Sequence, residues 1–321
     1  MGSSSFRSIL CPVDFSEHSI EALRVAIGLA GRDQAHLTVL TVNEPLLIEA
    51  ASANCGATYL ERETERELTN LVLGLMPGTA DWAPVPHNAV RAGKPATEIL
   101  ECAAEEHADL IVMGTHGLSG YRRLFFGSVT EGVLRHSTIP VLAVPLLAPH
   151  VIVFTDRKPV FHIGRVLAPV DFGMSTDSHV VLAQKVAASF GASLLLVHVL
   201  SELRGPAALR FALRGRDGER TKEARQRLLQ LAGSRNPADV ETCIVSGNPA
   251  DEIAEVAARH GVGLIVMGLS GEGASESRPG SVAYRVLTMT SVPVLALPPA
   301  QDERTKHTAK RERALLHGRL S

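Results

Sequence analysis

Short apolar runs alternate along the chain with longer segments in which apolar residues recur every three or four positions. The runs of the first half are SILCPV, HLTVLTV, NAVRA, LIVMG and PVLAV, and those of the second are RVLAPV, SLLLVHV, ETCIVSG, GLIVMG and PVLAL. Strands that are apolar on both faces and separated by helices indicate a parallel sheet buried between two helix layers. The pattern therefore predicts two tandem five-stranded, doubly wound α/β domains.

The two halves repeat the same motifs in the same order. Two motifs recur unchanged: PVDF at 12–15 and 169–172, and LIVMG at 110–114 and 264–268. Two others recur in similar form: GKPATEI at 93–99 corresponds to GNPADEI at 247–253, and PVLAVP at 140–145 corresponds to PVLALP at 293–298. A repeat of about 150 residues indicates domain duplication rather than a solenoid of short units. We predict domains at 1–149 and 164–299, a linker at 150–163, and a charged, flexible tail at 300–321.

Composition narrows the class of protein. A length of 321 residues agrees with two domains. The net charge of −2 gives no electrostatic reason to expect nucleic acid or an anionic membrane as partner. No apolar run reaches the ~18 residues of a membrane-spanning helix. Four cysteines without CxxC spacing predict free thiols in a reducing compartment, so we expect a cytoplasmic protein. They are Cys11, Cys55, Cys102 and Cys243.

The first LIVMG run leads into a glycine-rich loop, GTHGLSGYRRLFFGS, at 114–128. In open α/β sheets, ligands bind beyond the carboxyl ends of the strands, and glycines let a backbone approach them closely. The loop ends at Gly127 and Ser128, where a helix is predicted to begin, so its free N–H groups would attract phosphate. The hydroxyls of Ser119 and Ser128 add donors, and Arg122 and Arg123 add positive charge. The alternative is a connector that only turns the chain, but the long spacing and the helix start favour a phosphate site.

The glycines and the serine of this loop match the signature of a known protein family. The chain resembles a tandem universal stress protein, whose ATP-binding signature G-x2-G-x9-G-[ST] is matched by Gly114, Gly117, Gly127 and Ser128. The resemblance implies strand order 3-2-1-4-5, a stress-response role, and ATP, ADP or AMP as ligand, with Mg²⁺ as a companion of the phosphates. It implies adenine contacts at Pro12, Val13, Asp14, Val42 and Met113, and ribose and phosphate contacts at Gly114, Gly117, Gly127, Ser128 and Val129. Asp14 is equally interpretable as a helix cap.

The second half departs from the signature. Only eight residues separate Gly271 from Gly280. The loop carries Glu272 and Glu276 against Arg278, so its formal charge is negative where that of the first loop is positive. We therefore predict tighter nucleotide binding in the first half. The less certain second site comprises Pro169, Val170, Asp171, Val199, Met267, Gly268, Gly271, Gly280, Ser281 and Val282.

The sequence offers little support for catalysis. It contains neither a Walker loop nor a GxSxG elbow. We interpret His116 as an exposed loop histidine and His198 as a packed, hydrogen-bonded one rather than a metal ligand. The prediction is an ATP-binding regulator that is not an enzyme. Two alternatives stay open: a partner-binding module whose nucleotide is structural or absent, and a slow ATPase or a protein autophosphorylated on Ser128 or Ser119.

The resemblance also bears on assembly, because universal stress domains usually pair through their last strand. Each half ends in such a strand, PVLAV or PVLAL, and an unpaired edge favours aggregation. We predict an intrachain pseudo-dimer, further homodimerisation, and a protein partner that the sequence does not name.

Overall fold

The computed structural model describes residues 6–54, 56–76, 82, 84–115, 127–146, 151–155, 159–201, 210–233, 240–269 and 281–299. The first half alternates strands and helices as the apolar pattern predicts. Its elements are β1 (Ser8–Pro12), α1 (Glu17–Asp33), β2 (His36–Asn43), α2 (Pro45–Asn54), α3 (Ala57–Leu75), β3 (His87–Ala92), α4 (Pro95–Glu105), β4 (Leu110–Gly114), α5 (Ser128–His136) and β5 (Val141–Val144).

The second half repeats this alternation after a short hairpin. The hairpin consists of β6 (Ile152–Phe154) and β7 (Pro159–Phe161), which pair antiparallel inside the predicted linker. The remaining elements are β8 (Arg165–Pro169), α6 (Thr176–Phe190), β9 (Ser193–Leu200), α7 (Arg210–Gly233), β10 (Val240–Ser246), α8 (Pro249–Arg259), β11 (Leu264–Gly268), α9 (Ser281–Met289) and β12 (Val294–Leu297). The predicted tail lies outside the described residues.

All but the hairpin strands form one ten-stranded sheet, in the order β10-β9-β8-β11-β12-β5-β4-β1-β2-β3. Within each half the strands are parallel and follow the order 3-2-1-4-5, so the predicted fold is confirmed. The halves meet where β12 pairs antiparallel with β5, with Leu295 opposite Leu142. Each half therefore covers the last strand of the other.

The strands carry apolar residues on both faces because helices cover both faces of the sheet. Every residue of β4 is buried, and the same holds for β5 and β12. Two apolar clusters result, one on each side of the sheet. The first includes Leu23, Leu68 and Val180 from α1, α3 and α6, and the second includes Ile99, Val133 and Val256 from α4, α5 and α8. Burial of this kind is the main favourable term in folding.

The hairpin packs against the first half where two glycines of α1 leave room for it. A side chain at Gly28 would overlap Ile152, and one at Gly31 would meet the Trp82 ring at 2.5 Å. Trp82 stacks on Phe154 with ring centroids 5.7 Å apart, and its indole N–H donates to the carbonyl of Thr155 at 3.2 Å. The absence of side chains at the two α1 glycines thus lets the hairpin pack closely on the first half.

Repeated motifs fix the turns that bring the strand ends to one side. The phenylalanines of the two PVDF motifs, Phe15 and Phe172, adopt left-handed backbones with φ of 62° and 59°. The glycines of the two GxPAxEI motifs, Gly93 and Gly247, both have φ of 154°, and their turns place proline in the first turn of α4 and α8. Proline suits that position because its missing N–H has no helical partner there.

None of the described helices combines the length and apolarity needed to cross a membrane.

Candidate functional site

A cavity of about 260 Å³ opens at the carboxyl ends of β1, β2 and β4. This is where a doubly wound sheet reverses its strand order and where such folds bind ligands. Its walls come from six elements and the turns beside them, and they bring together Pro12, Val13, Asp14, Ser19, Leu40, Val42, Glu44, Pro95, Ile99, Met113, Gly114, Gly127, Ser128, Val129 and Thr130.

One part of the cavity is apolar. Pro12 and Val42 contribute from the ends of β1 and β2, Met113 from β4, and Ile99 and Val129 from α4 and α5. Met113 and Ile99 are almost fully buried, so their side chains are held by the core and present a fixed surface. Such a wall suits a flat, largely apolar group, which binding sites orient through a few added polar contacts.

Another part of the cavity is formed by the start of α5. Its N-cap is Gly127 (φ −59°, ψ 138°), which as a glycine has no side chain to make a cap hydrogen bond. Ser128, Val129 and Thr130, whose backbone N–H groups lack helical acceptors, all line the cavity. Thr130 turns its hydroxyl away to donate to the Gly114 carbonyl at 3.0 Å. The helix dipole and the open N–H groups make this end attractive to an anion.

Asp14 orders the turn between β1 and α1. Its Oδ1 accepts hydrogen bonds from the backbone N–H of Ser16 at 3.1 Å and from the Ser16 hydroxyl at 2.6 Å. Ser16 is in turn the N-cap of α1 and accepts from the N–H of Ser19. Asp14 is therefore not itself the helix cap, as the sequence alternative had it, but holds the capping residue Ser16 through one oxygen. Asp14 is also an exposed residue of the cavity lining.

Gly114 is required by packing as well as by any ligand. A β-carbon built there would lie 2.8 Å from the backbone carbon and oxygen of His18, which belong to α1 and cannot move independently. The sequence interpretation assigned this glycine to ligand approach alone. The close approach of β4 to the start of α1 is a second reason for the residue.

The cavity collects most of the residues predicted for the first site. Nine of them line it: Pro12, Val13, Asp14, Val42, Met113, Gly114, Gly127, Ser128 and Val129. Gly117, Arg122 and Arg123 lie outside the described residues, as do Ser119 and His116. Sequence reasoning missed Ser19, Leu40, Glu44, Pro95, Ile99 and Thr130. The repeated GxPAxEI motif was a usable signal for Pro95 and Ile99.

The second half builds a similar frame. Asp171 Oδ1 accepts from the N–H of Gly173 at 2.8 Å and from the Thr176 hydroxyl at 3.0 Å, matching the Asp14 turn. Of the predicted second site, Pro169, Val170, Asp171, Val199, Met267, Gly268, Ser281 and Val282 occupy equivalent strand ends and the start of α9. Gly271 and Gly280 lie outside the described residues, together with Glu272, Glu276 and Arg278.

His198 is packed and hydrogen-bonded, as the sequence predicts. Its Nδ1 lies 2.7 Å from the Val170 carbonyl, and its ring lies 4.4 Å from that of Phe172, centroid to centroid. The Arg227 guanidinium lies over the Phe172 ring, 4.2 Å from its centroid. Beside these residues is a smaller cavity of about 170 Å³, on the α7 side of the sheet.

The described cysteines are free thiols. Cys11 and Cys102 are buried, and burial raises the pKa of both thiols above the ordinary value. The neutral thiol is a poor nucleophile, so these residues act as small apolar side chains. Cys55 lies outside the described residues. Within the described part of the chain, no group of three or more His, Cys, Asp or Glu side chains could hold a metal ion.

Fold and cavity together define the chain as a duplicated, doubly wound α/β protein with a ligand-sized cleft at the strand ends of its first half. The profile of the "Universal stress protein family" matches residues 5–145 and 162–298. The chain therefore belongs to the universal stress protein family, and the duplication predicted from sequence is confirmed.

Similar proteins agree with this assignment. A universal stress protein of Methanocaldococcus jannaschii is 31% identical over 143 residues, which cover 44% of this chain and 84% of that protein. One of Bacillus subtilis is 31% identical over 147 residues, covering 43% of this chain and 99% of the relative. Among solved structures, a universal stress protein of Archaeoglobus fulgidus has a TM-score of 0.63 at 24% identity, covering 91% of this chain and 98% of its own. That similarity extends over both halves and concerns the fold.

Proposed function

We propose that the first half binds an adenine nucleotide, ATP before ADP or AMP, and that the protein is a nucleotide-responsive regulator in a stress response. One observation carries the proposal: an apolar cleft at the strand ends of the first half leads to the uncapped start of α5. A purine base suits the apolar part, and phosphate suits the helix start.

The dimensions support this fit. A volume of about 260 Å³ lies just below the ~300–1,000 Å³ typical of small-molecule sites. The base and sugar would occupy the cleft, with the base against Val42 and Met113 and the phosphates by Gly127 and Ser128. The signature implies a further phosphate contact at Gly117.

We propose a regulator rather than an enzyme because the described residues of the cavity include no histidine, cysteine or lysine. Glu44, whose carboxylate has no described partner, follows β2, on the opposite side of β1 from β4 and the start of α5, where the phosphates would bind. Asp14 already holds Ser16, and the hydroxyls of Ser19 and Thr130 donate to backbone carbonyls at 2.9 and 3.0 Å. We assign no protein ligand to Mg²⁺, which would enter with the phosphates. A slow ATPase, or autophosphorylation of Ser128, is the rival; it predicts phosphate release or retained label from γ-labelled ATP.

We also propose that the two sites differ in affinity. Arg122 and Arg123 give the first loop a formal charge of +2, whereas Glu272, Glu276 and Arg278 give the second −1. Unit charges about 4 Å apart interact by roughly 1 kcal/mol in bulk water and more near a protein surface. A difference of three charges toward a polyphosphate therefore favours the first site by about tenfold or more.

Assembly and location follow the same proposal. Because β5 and β12 already pair with each other, a homodimer or a protein partner would have to use another surface. We place the protein in the cytoplasm, where ATP is abundant and thiols such as Cys11 and Cys243 stay reduced.

The test is ATP titration of the full chain by calorimetry, together with analysis of the small molecules released when freshly purified protein is heat-denatured. Gly117→Val puts a β-branched side chain where the loop should meet phosphate, and we expect at least about tenfold weaker binding, or ~1.4 kcal/mol. Gly74→Val is the matched control, because Gly74 faces open space in α3. Absence of ATP binding by the unaltered protein, or equal affinity in Gly117→Val, would contradict the proposal.

A further inference from the structure

Glu44 is the acidic side chain of the cavity that the fold leaves uncommitted. It follows the last residue of β2, and its backbone carbonyl starts α2 by accepting from the N–H groups of Leu47 at 3.0 Å and Ile48 at 3.1 Å. Glu44 is an exposed residue of the cavity lining, and its carboxylate makes no hydrogen bond or ion pair with the described part of the chain.

The other polar side chains of the cavity are placed differently. Asp14 Oδ1 holds Ser16, and Ser19 and Thr130 donate to backbone carbonyls. Ser128 opens α5, which follows β4, whereas Glu44 follows β2. Because β2 and β4 are the two neighbours of β1, and adjacent strands are about 4.8 Å apart, the ends of β2 and β4 lie roughly 10 Å from each other. The start of α5 lies beside the end of β4, because the Gly127 N–H donates to the Thr115 carbonyl at 3.3 Å.

This placement makes the two ends of the cavity electrostatically different. The start of α5 attracts phosphate, and a carboxylate across the cavity repels it. A nucleotide would therefore point its phosphates toward Ser128 and its base toward Glu44. At pH 7 an ionised carboxylate only accepts hydrogen bonds, so the base edge that faces it must carry a donor.

We propose that Glu44 selects the base by accepting a hydrogen bond from the exocyclic 6-amino group of adenine. This rests on the proposed nucleotide site. A purine with an oxygen at that position, held in the same orientation, would place its lone pairs against the carboxylate. Once the bound base shields this contact from water, an unpaired polar group there costs binding free energy.

The second half lacks this feature. Gly93 N–H donates to the Asn43 carbonyl, and Gly247 N–H donates to the Leu200 carbonyl in the same way, so Glu44 corresponds to Ser201. A hydroxyl both donates and accepts, so it does not distinguish an amino group from an oxygen. The selectivity should therefore belong to the first site alone.

The experiment measures binding of ATP and of inosine triphosphate to the full chain and to Glu44→Gln. We expect the unaltered protein to prefer ATP by at least about tenfold. A glutamine can turn its NH₂ toward an oxygen, so the preference should fall to within about threefold, with inosine triphosphate bound more tightly than before. Glu49→Gln, which removes the same charge from an exposed position on α2, should leave the preference unchanged.

The outcomes separate the two proposals. If the unaltered protein binds ATP but does not prefer it, or if Glu44→Gln keeps the full preference, the role of Glu44 is overturned while the nucleotide site stands. If the unaltered protein binds neither nucleotide, the proposed function and the role of Glu44 both fail. Glutamine has the same shape as glutamate, and Glu44 is exposed, so loss of folding is not expected.

Discussion

At the carboxyl end of β2 the first half carries Asn43 and Glu44, whereas the matching end of β9 in the second half carries Leu200 and Ser201. Asn43 accepts a hydrogen bond from Thr64 of α3 at 3.2 Å, with both residues buried. Two residues earlier in β2, the Thr41 hydroxyl donates to the Val13 carbonyl, and in β9 His198 takes the same place beside Val170. The strand ends have diverged while the strands themselves repeat.

The difference follows from what each position must do. LIVMG recurs because both faces of β4 and β11 are covered, and a change there would leave a cavity or an overlap in the core. Side chains beyond the strand ends that face a cleft or solvent, such as Glu44 and Ser201, can change at little cost to the fold. Duplication therefore kept the frame and left the sites free to specialise.

The largest effect in this comparison should come from the two strand-end glycines. Gly114→Ala would push a β-carbon against the His18 backbone, whereas Gly268→Ala would meet the ring of His179, which can rotate away. We expect Gly114→Ala to lower the free energy of unfolding by about 1–3 kcal/mol and Gly268→Ala to lower it less. Urea unfolding of both variants, followed by hydrogen exchange within each half, measures the difference. Equal losses would mean that the two halves pack their first helices alike.

This prediction also shows where sequence reasoning stopped. The glycine spacing pointed to Gly114, Gly127 and Ser128, which line the cavity, but a local pattern does not reveal that α1 returns to lie against β4. The same holds for Ser19, Pro95 and Thr130, which reach the cavity from three different helices. Contacts between elements distant in sequence depend on the topology rather than on periodicity.

The strands of the main sheet and most helices could be predicted from the sequence because the spacing of apolar residues and the repeated motifs indicate them directly. Buried strands and the long helices α1 and α3 follow from apolar spacing. Helix α2 was missed because its apolar residues Leu46 and Leu47 are exposed and form no buried stripe. The hairpin β6–β7 was missed because each strand has three residues, too few for a period to show.

A smaller effect should come from the polar pair that only the first half contains. Thr64→Val would remove the hydroxyl that donates to the side-chain oxygen Oδ1 of the buried Asn43, and it should lower the free energy of unfolding by about 1 kcal/mol. Replacing both partners, Asn43→Leu with Thr64→Val, imitates the Leu200 of the second half and should recover much of that loss. A double-mutant cycle from chemical unfolding measures the coupling. A double variant no more stable than Thr64→Val would argue against a specific role for the hydrogen bond.

The asymmetry between the halves has one direct test, which uses the matched serines that open α5 and α9. An aspartate at the first position of a helix favours the helix dipole, so Ser128→Asp and Ser281→Asp should both fold, while each carboxylate repels phosphate at its own site. The measurement is ATP titration of the two variants at fixed ionic strength. We predict that Ser128→Asp weakens the tight site by about tenfold or more and that Ser281→Asp leaves it unchanged. Loss of the tight site in Ser281→Asp, with its survival in Ser128→Asp, would contradict nucleotide binding by the first half.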